Sequence, residues 1–262
     1  MAKIQNDKYY TSPELAKYCV EKTKEIIGED NITEYIEPSA GSGVFLDYLD
    51  KPYLAYDIEP EDERIIKQDW LSVDLNYKEG RCVIGNPPFG NRNTLSVKFY
   101  KKSIDLCDYI AFILPISQFN NNQQMYEFNL IYSEDLGKRD YSDRVVHCCF
   151  NIYKKPSGQF NSKPDYKLKD IGIIEVRLNN KKVDKYDFKI IAWGAGVGRL
   201  LNNDEHYAKE FYITVNREDL KERVLNVLQT VDWVKEYAMT ATPNLLQWQV
   251  CKYLKEQIPE LE

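Results

Sequence analysis

The tetrapeptide Asn86-Pro87-Pro88-Phe89 restricts the backbone more than any other stretch of this sequence. It follows residues 82–85, a short apolar run with the composition of a buried strand. Each proline fixes its own φ angle and removes a backbone donor, and the residue before each proline is pushed towards extended geometry. The chain therefore cannot continue as a strand or a helix, and we expect a stiff loop at the carboxyl end of a strand.

This loop, called the hook from here on (residues 86–89), presents a side-chain amide, two carbonyl groups and an aromatic ring. Together these groups can accept hydrogen bonds from a planar amino group while the ring stacks on its plane. An ordinary proline turn explains the same four residues. The tetrapeptide alone does not decide between the two interpretations, so the rest of the chain has to.

Composition excludes several classes of protein. The 262 residues are 43% hydrophobic and 29% charged, which is ordinary for a soluble globular chain of one large domain or of a catalytic domain with an appendage. No apolar run approaches the length of a membrane span, and the first residues lack the core of a signal peptide. Six scattered cysteines without a CxxC pair argue against a zinc site or a disulfide framework and favour a reduced, cytoplasmic setting.

The charge of the chain is uneven. The net charge of −6 argues against a nonspecific nucleic-acid binder, but residues 138–189 carry 13 Lys and Arg against 7 Asp and Glu, a net of +6. A local basic surface is therefore compatible with the acidic total.

The amino-terminal segment predicts a capped helix. Thr11 or Ser12 can cap it, Pro13 suits the first helical position, and Glu14 favours the positive end of the helix dipole. Apolar residues then follow at helical spacing as far as Gly28, where the helix should end.

A strand predicted over residues 32–36 leads into a glycine-rich loop, Glu37-Pro38-Ser39-Ala40-Gly41-Ser42-Gly43. We expect an apolar helix after the loop, because a strand, a glycine-rich turn and a helix open a Rossmann-like nucleotide site. Gly41 and Gly43 would allow a ligand to approach the backbone closely. The spacing is not GxGxxG, so the loop is weak evidence by itself.

Three further strand-like runs each end in a polar side chain. Asp57 follows residues 53–56, Asp69 follows residues 65–68, and Asn86 follows residues 82–85. In an open parallel sheet the carboxyl ends of the strands border one crevice. The ordered set therefore predicts one site that combines the glycine loop, the two acids and the hook.

The remaining elements are a helix over 94–106, a buried strand over 108–115, a loop or short helix over 117–129 and a late strand over 144–153 that leads out of the sheet. Residues 157–164 form the best domain boundary. Beyond it we predict strands over 171–178, 188–193 and 211–215 and helices over 220–233 and 243–254. The loop Trp193–Arg199 is interpreted as a turn, with a nucleotide loop, or a phosphate contact by Arg199 and Lys189, as alternatives.

The motifs, taken in this order, resemble those of the adenine-specific, amino-methylating DNA methyltransferases that use S-adenosylmethionine. The resemblance is to the gamma arrangement, in which the cofactor motifs precede the catalytic tetrapeptide and a target-recognition region ends the chain, and to proteins of restriction-modification or phage type. The resemblance covers about residues 8–156 and rests on YYTSPELA, EPSAGSGVF, YDIEP, QDW and NPPF. It implies a Rossmann-like seven-stranded methyltransferase sheet in residues 1–158. Residues 159–262 would form a small α+β region that recognises the DNA target.

The resemblance also assigns residues. For the cofactor it implies that Thr11 and Pro13 lie over the methionine part, that Asp57 holds the ribose hydroxyls, that Ile58 flanks the adenine ring and that Asp69 reads the adenine amino group. Glu37 would lie near the methionine amino group. The glycine loop is represented by Glu37, Pro38, Gly41 and Gly43, and Asn86 borders both ligands. The catalytic residues would be Asn86, Pro87, Pro88 and Phe89, with Phe89 and Tyr153 stacking on the target base and Phe150 as a rival to Tyr153.

The implied reaction is methyl transfer from S-adenosyl-L-methionine to the exocyclic N6 of an adenine flipped out of double-stranded DNA, with no metal ion. This interpretation implies a cytoplasmic protein of a bacterium or phage that acts beside a cognate restriction endonuclease. Methyltransferases acting on RNA guanine or protein glutamine share the hook and are the nearest alternative. A bifunctional restriction enzyme is a more distant one, suggested by Pro164-Asp165 and Glu175-Val176-Arg177.

Overall fold

The computed structural model describes residues 10–141, 144–178, 183–239 and 242–262. Tyr9, which opens the amino-terminal motif, and residues 142–143 and 179–182 of the basic stretch lie outside these ranges. The chain divides into two compact units, the first ending at Pro164 and the second spanning Asp165–Glu262. The sequence predicted a boundary within residues 157–164, with the two domains divided between residues 158 and 159.

A seven-stranded sheet with α-helices forms the first unit. In chain order its elements are α1 (Pro13–Ile27), β1 (Glu34–Glu37), β2 (Tyr53–Asp57), β3 (Ile66–Lys67), β4 (Arg81–Gly85), α2 (Thr94–Ser103), β5 (Tyr109–Pro115), β6 (Asn129–Tyr141) and β7 (Arg144–Lys154).

The strand order is β3-β2-β1-β4-β5-β7-β6. The first five strands in this order pair in parallel, and β7 runs antiparallel to both of its neighbours. This is the Rossmann-like methyltransferase sheet that the motifs predicted, so the fold class is confirmed. The order reverses between β1 and β4, and the ligand crevice of such sheets lies at this switch point.

Two buried clusters cover the two faces of this sheet, because successive side chains of a strand point to opposite faces. In β4, Cys82 and Ile84 belong to the cluster that contains Leu15 and Cys19 of α1. Val83 belongs to the other cluster, together with Phe99 and Tyr100 of α2.

The predicted start and end of α1 are confirmed. Ser12 is the N-cap, and its hydroxyl accepts a hydrogen bond from Leu15 N–H at 3.3 Å, while Pro13 occupies the first turn. Gly28 ends the helix with a φ of 86°, and its N–H donates to the Lys24 carbonyl. The amino end of α1 is thus fixed directly after Thr11.

Two expectations about the first unit are wrong, and one strand was not foreseen. The helix after the glycine loop is absent, and the structure has a 3₁₀ turn at Leu46–Tyr48 instead. β7 does not leave the sheet but lies inside it, between β5 and β6. β6 was not predicted, because two register shifts, between Leu130 and Tyr132 and between Asp135 and Gly137, break its alternation of side chains.

The second unit contains an antiparallel sheet of three strands in the order β8-β10-β9, and helices. Its elements are β8 (Ile171–Arg177), β9 (Phe188–Ile191), β10 (Lys209–Val215), α3 (Lys221–Thr230), α4 (Trp233–Glu236) and α5 (Gln247–Gln257). This is the predicted α+β region. The helix predicted over 220–233 ends early because Asp232 caps a separate helix, α4, with a hydrogen bond from Lys235 N–H.

Within the described ranges, no helix is both long and apolar enough to cross a membrane. All six cysteines are buried and none forms a disulfide. The same part of the chain holds no cluster of three or more His, Cys, Asp or Glu residues suited to a metal ion.

Candidate active site

The carboxyl ends of β1, β2 and β4 lie side by side at one edge of the sheet, where hydrogen bonds connect the loops that follow them. The Ser39 hydroxyl donates to the Asn86 carbonyl at 3.3 Å, which joins the glycine loop to the hook. The Gly41 N–H donates to Asp57 Oδ2 at 2.8 Å, which joins the same loop to the end of β2. The structure therefore brings together three motifs that are separated in the sequence.

The side-chain amide of Asn86 is oriented by the amino-terminal segment. Its Nδ2 donates to Thr11 Oγ1 at 3.2 Å, and Thr11 is itself buried beside the N-cap of α1. Because a planar amide carries its nitrogen and oxygen on opposite sides, this bond directs the Asn86 oxygen away from Thr11. Pro87 is buried next to it and keeps the backbone of the hook fixed.

Glu37, the last residue of β1, is a buried acid at this edge. Only 2% of the residue is exposed, and its Oε2 has no hydrogen-bond partner among the described residues. Burial, reinforced by the nearby Asp57 carboxylate and opposed by Arg64, raises its pKa well above the usual range. A buried acid with an open acceptor fits a ligand that brings a cation or a donor, such as an ammonium group.

The two glycines of the loop differ in their surroundings. Gly41 has a φ of 53°, and no atom lies within 4 Å of the position that a Cβ would take. Gly43 has a φ of 77° and faces Asp62 and Arg64, whose hydrogen bond lowers the pKa of Asp62 to about 2. Open space therefore adjoins the loop at Gly41, and a ligand can approach the backbone there.

The polar side chains expected to hold a nucleoside are fixed by backbone donors. Asp57 accepts from Gly41 N–H and from Glu59 N–H, each at 2.8 Å. The side chain of Asp69 caps the 3₁₀ turn Trp70–Ser72 by accepting from Leu71 N–H. Ile58, half exposed beside Asp57, offers an apolar surface. A fixed carboxylate beside an exposed apolar side chain suits a ribose and its base, so these residues fit S-adenosylmethionine.

Phe89 is 5% exposed and belongs to the buried cluster that includes Leu15 and Cys19 of α1. Its carbonyl accepts from Leu95 N–H at 3.2 Å, which fixes the backbone directly after the hook. Since so little of the ring is exposed, stacking on a base requires the ring, or the side chains that cover it, to move.

Tyr153 does not join this site, and its sequence-based placement beside a target base needs correction. It pairs with Ile110, near the amino end of β5, whereas the hook lies at the carboxyl ends of the parallel strands. The residue is fully buried, and its hydroxyl accepts from Asn151 Nδ2 at 2.9 Å. Phe150, the rival, is also fully buried, although it shares a cluster with Phe89.

Sequence reasoning gave no role to two residues that the structure places in the site. Ser39 joins the glycine loop to the hook, as described above. Gly85, the last residue of β4, lies so close to Glu37 that a Cβ would be 3.3 Å from Glu37 Cγ. A glycine at the end of a strand marks close approach of another group, and this signal was available in the sequence.

The features of the second unit that suggested other functions are engaged in structural contacts. Glu175 bonds to Arg177 at 2.9 Å and contacts Lys209 at 3.4 Å, which leaves it held by two cations rather than in a nuclease site. Lys189 is buried and donates to the carbonyls of Asn203 and Glu205. Arg199 bonds to the Glu205 carboxylate at 3.0 Å. The alternative in which Lys189 and Arg199 touch phosphate is therefore not supported.

No protein-family model matches this chain, and no curated protein matches it. Several solved structures have a similar fold. A Pyrococcus horikoshii protein provisionally assigned as an RNA methyltransferase is 15% identical, with a TM-score of 0.48 over 59% of this chain and 90% of that one. The 23S rRNA methyltransferase ErmE is 11% identical, with a TM-score of 0.43 over 59% and 72% of the two chains. A type I restriction-modification methyltransferase subunit from Streptococcus thermophilus is 16% identical, with a TM-score of 0.42 over 56% and 45%. Identities of 11–16% concern the fold and decide neither an activity nor a substrate.

Proposed function

We propose that the protein is an S-adenosylmethionine-dependent methyltransferase that modifies the N6 amino group of an adenine flipped out of double-stranded DNA. The observation that carries this proposal is the junction at the sheet edge. There Ser39 donates to the backbone carbonyl of Asn86, and the Asn86 side-chain amide donates to Thr11, so that the glycine loop, the hook and the start of α1 are joined at one residue. The second of these bonds links the hook to a residue 75 positions away in the sequence and orients the amide at the sheet edge that borders the ligand crevice.

In this proposal the cofactor lies along the glycine loop. Its methionine part contacts Thr11, Pro13 and the buried Glu37, while Asp57 and Asp69 hold the nucleoside. Pro38, Gly41 and Gly43 shape the backbone beside it, Asn86 borders it, and Ile58 flanks its adenine. When bound, S-adenosylmethionine supplies an activated methyl group on a sulfonium.

The hook residues would prepare the nucleophile. An exocyclic adenine amine is a poor nucleophile because its lone pair is delocalised into the ring. Hydrogen bonds from that amine to the side-chain oxygen of Asn86 and the carbonyl of Pro87 favour a pyramidal nitrogen with an available lone pair. Fixed acceptors of this kind act through orientation and electrostatics, which together supply much of the catalysis in such sites.

A base inside a duplex cannot reach this pocket, so the proposal includes base flipping. Phe89 would replace the stacking that the base loses, after the ring has moved from its covered position. The second unit would contribute recognition of the DNA sequence, and a restriction endonuclease of the same specificity would be the natural partner.

The test is methyl transfer from labelled S-adenosylmethionine to unmethylated genomic DNA, with total RNA and a protein extract in parallel, followed by digestion and identification of the labelled product. We expect N6-methyladenine in DNA alone. Labelled guanine in RNA, or labelled glutamine in protein, would keep the fold and the hook chemistry but reject DNA as the substrate. Binding of S-adenosylmethionine without transfer to any of the three would contradict the proposed activity.

A further inference from the structure

The seven residues Phe89–Leu95, which begin with the aromatic residue of the hook, form a tight loop. The Leu95 N–H donates to the Phe89 carbonyl at 3.2 Å, which closes the loop at its base. Gly90 has a φ of 65°, and a Cβ at this position would lie only 2.8 Å from Leu95 Cβ. The ends of the loop are therefore held together, and Arg92 occupies its middle.

The middle of this loop is strained. Arg92 has a φ of 51° and Asn93 a φ of 63°, so two consecutive residues other than glycine adopt the left-handed conformation. Residues that carry a Cβ rarely adopt this backbone conformation, and backbone strain of this kind is typical of functional sites.

The side chain of Asn93 does not relieve this strain by capping α2. Its Nδ2 donates to the Ser117 hydroxyl at 2.8 Å instead, which ties the loop to the segment after β5. An asparagine before a helix usually accepts from the first turn. Here that stabilisation is given up for a contact that fixes the position of the loop.

Arg92 is the cation that this arrangement presents. Its side chain is exposed and makes no ion pair or hydrogen bond with any other described residue. By contrast, the exposed arginines Arg64 and Arg223 each bond to a carboxylate at 2.8 Å or less. An arginine that is held in a strained backbone and left without a carboxylate is suited to bind an anion from outside the chain.

We propose that Arg92 binds a phosphate of the target DNA strand next to the flipped nucleotide. This inference rests on the proposed function, because the loop begins at the ring that would receive the base. The nearest strong anions to such a base are the phosphates of its own strand. Because the backbone of Arg92 is held three residues after Phe89, its guanidinium can reach that phosphate while the base occupies the pocket.

The experiment compares the full-length wild-type protein with Arg92→Gly, Arg92→Lys and Lys51→Ala. Lys51 lies just before β2, at the opposite edge of the sheet, so Lys51→Ala removes one positive charge far from the hook. Fluorescence anisotropy gives the Kd for a DNA duplex at several salt concentrations, a methylation assay gives kcat and KM, and a thermal melt reports folding.

For Arg92→Gly we expect roughly tenfold weaker DNA binding. We also expect the slope of log K against log salt concentration to fall by about 1, because one phosphate contact is lost. Its melting temperature should equal or exceed that of the wild type, since glycine accepts the left-handed conformation. Arg92→Lys should retain the wild-type salt slope, and Lys51→Ala should match the wild type in all measurements.

A wild-type salt slope and affinity in Arg92→Gly would overturn the inference. So would an equal loss of affinity in Lys51→Ala, because the effect would then be one of total charge. Failure of the proposed function is distinguishable, since the wild type itself would then transfer no methyl group to DNA.

Discussion

The amide of Asn86 is the group on which the proposed chemistry depends, and its removal gives the first prediction. Asn86→Ala should lower kcat for methyl transfer by about 10²- to 10³-fold, the usual effect of deleting one group that stabilises a transition state. S-adenosylmethionine affinity, measured by calorimetry, should change little, because Thr11 and the glycine loop remain. Retained activity would remove Asn86 from the proposed mechanism.

Thr11 allows a finer test of the same group. Thr11→Val keeps the shape of the side chain but removes the acceptor that orients the Asn86 amide at 3.2 Å. We expect kcat to fall roughly tenfold, the effect of losing one hydrogen bond, with KM for DNA nearly unchanged. Thr11→Ser keeps the hydroxyl and should keep most of kcat. Equal kcat values in the valine and serine variants would show that the hydroxyl does not position the amide.

Glu37 and Glu34 lie on the same strand, and their contributions to the stability of the folded state should change with pH in opposite directions. Burial, followed by the Asp57 carboxylate, raises the pKa of Glu37 well above its usual value of 4.5. Protonated Glu37 therefore stabilises the folded state, and this stabilisation is lost as pH rises through the raised pKa. Burial also acts on Glu34, but hydrogen bonds from Lys78 and Arg81 outweigh it and lower the pKa, so its stabilisation is lost as pH falls.

Glu37→Gln should therefore raise the melting temperature of the ligand-free protein at pH 8, by about 2–4 °C for each kcal/mol of charge burial that is relieved. It should also weaken S-adenosylmethionine binding. The matched variant Glu34→Gln should lower the melting temperature at the same pH. Thermal melts between pH 5 and 8 check both signs, and parallel pH profiles for the two variants would contradict the assignment.

At the residue scale, the sequence predicted which polar side chains lie together at one edge of the sheet, wherever such a side chain directly ends a parallel strand. Glu37 and Asp57 are the last residues of β1 and β2, and Asn86 directly follows β4. The predicted placement of Tyr153 was wrong, because the direction of β7 decides at which edge of the sheet that residue lies. β7 runs antiparallel to β5, so its last residues lie at the amino-terminal edge. Strand direction is a property of the pairing and cannot be read from the pattern of Tyr153 and its neighbours.

Among the elements, those with regular periodicity were predicted and those with interruptions were not. The alternation of β6 is broken twice by register shifts, so no period of two persists along it. The glycine loop is a different case. Gly43 has a φ of 77° and Pro52 precedes β2, which limits the segment between them to residues 44–51. The 3₁₀ turn Leu46–Tyr48 is what fits.

The loop after β9 gives a prediction with a built-in control. Gly196 and Gly198 both have positive φ angles, 79° and 86°. A Cβ on Gly198 would lie 1.9 Å from Trp233 Cδ1, whereas a Cβ on Gly196 would meet Ile191 Cδ1 at an ordinary 3.5 Å. Gly196→Ala should cost about 1 kcal/mol, from backbone strain alone. Gly198→Ala should cost about 1–3 kcal/mol more, because Trp233 is buried and has to shift.

Urea unfolding of the two variants measures this difference directly. Because S-adenosylmethionine is proposed to bind only the first unit, its affinity should be unchanged in both variants. Equal free energies of unfolding for Gly196→Ala and Gly198→Ala would mean that the contact with Trp233 does not restrict this loop.

Taken as a whole, the molecule has a separate core in each unit. The second unit buries its own cluster, which includes Phe211, Val224, Trp233 and Leu254. The segment after β7 belongs to the first unit as far as Asn161, since the Phe160 ring packs on Phe128 at 5.8 Å and Asn161 N–H donates to the Glu127 carbonyl. Composition predicted a boundary within residues 157–164 because Gly158 and its polar neighbours resemble a linker, and these tertiary contacts attach the first part of that stretch to the first unit.

Because each unit has its own core, we expect cofactor binding and DNA recognition to separate when the two units are prepared as fragments. A fragment of residues 1–164 should bind S-adenosylmethionine with nearly the affinity of the full chain, because the glycine loop, both acids and the hook all lie within it. A fragment of residues 165–262 should unfold cooperatively by itself, as a unit with its own core does. The first fragment should nevertheless lose methylation of DNA at the target site, because the second unit is proposed to supply recognition. Calorimetry, thermal melts and the methylation assay test the three points, with the full chain as the control. Methylation at the same site and rate by the first fragment would show that recognition lies in the first unit.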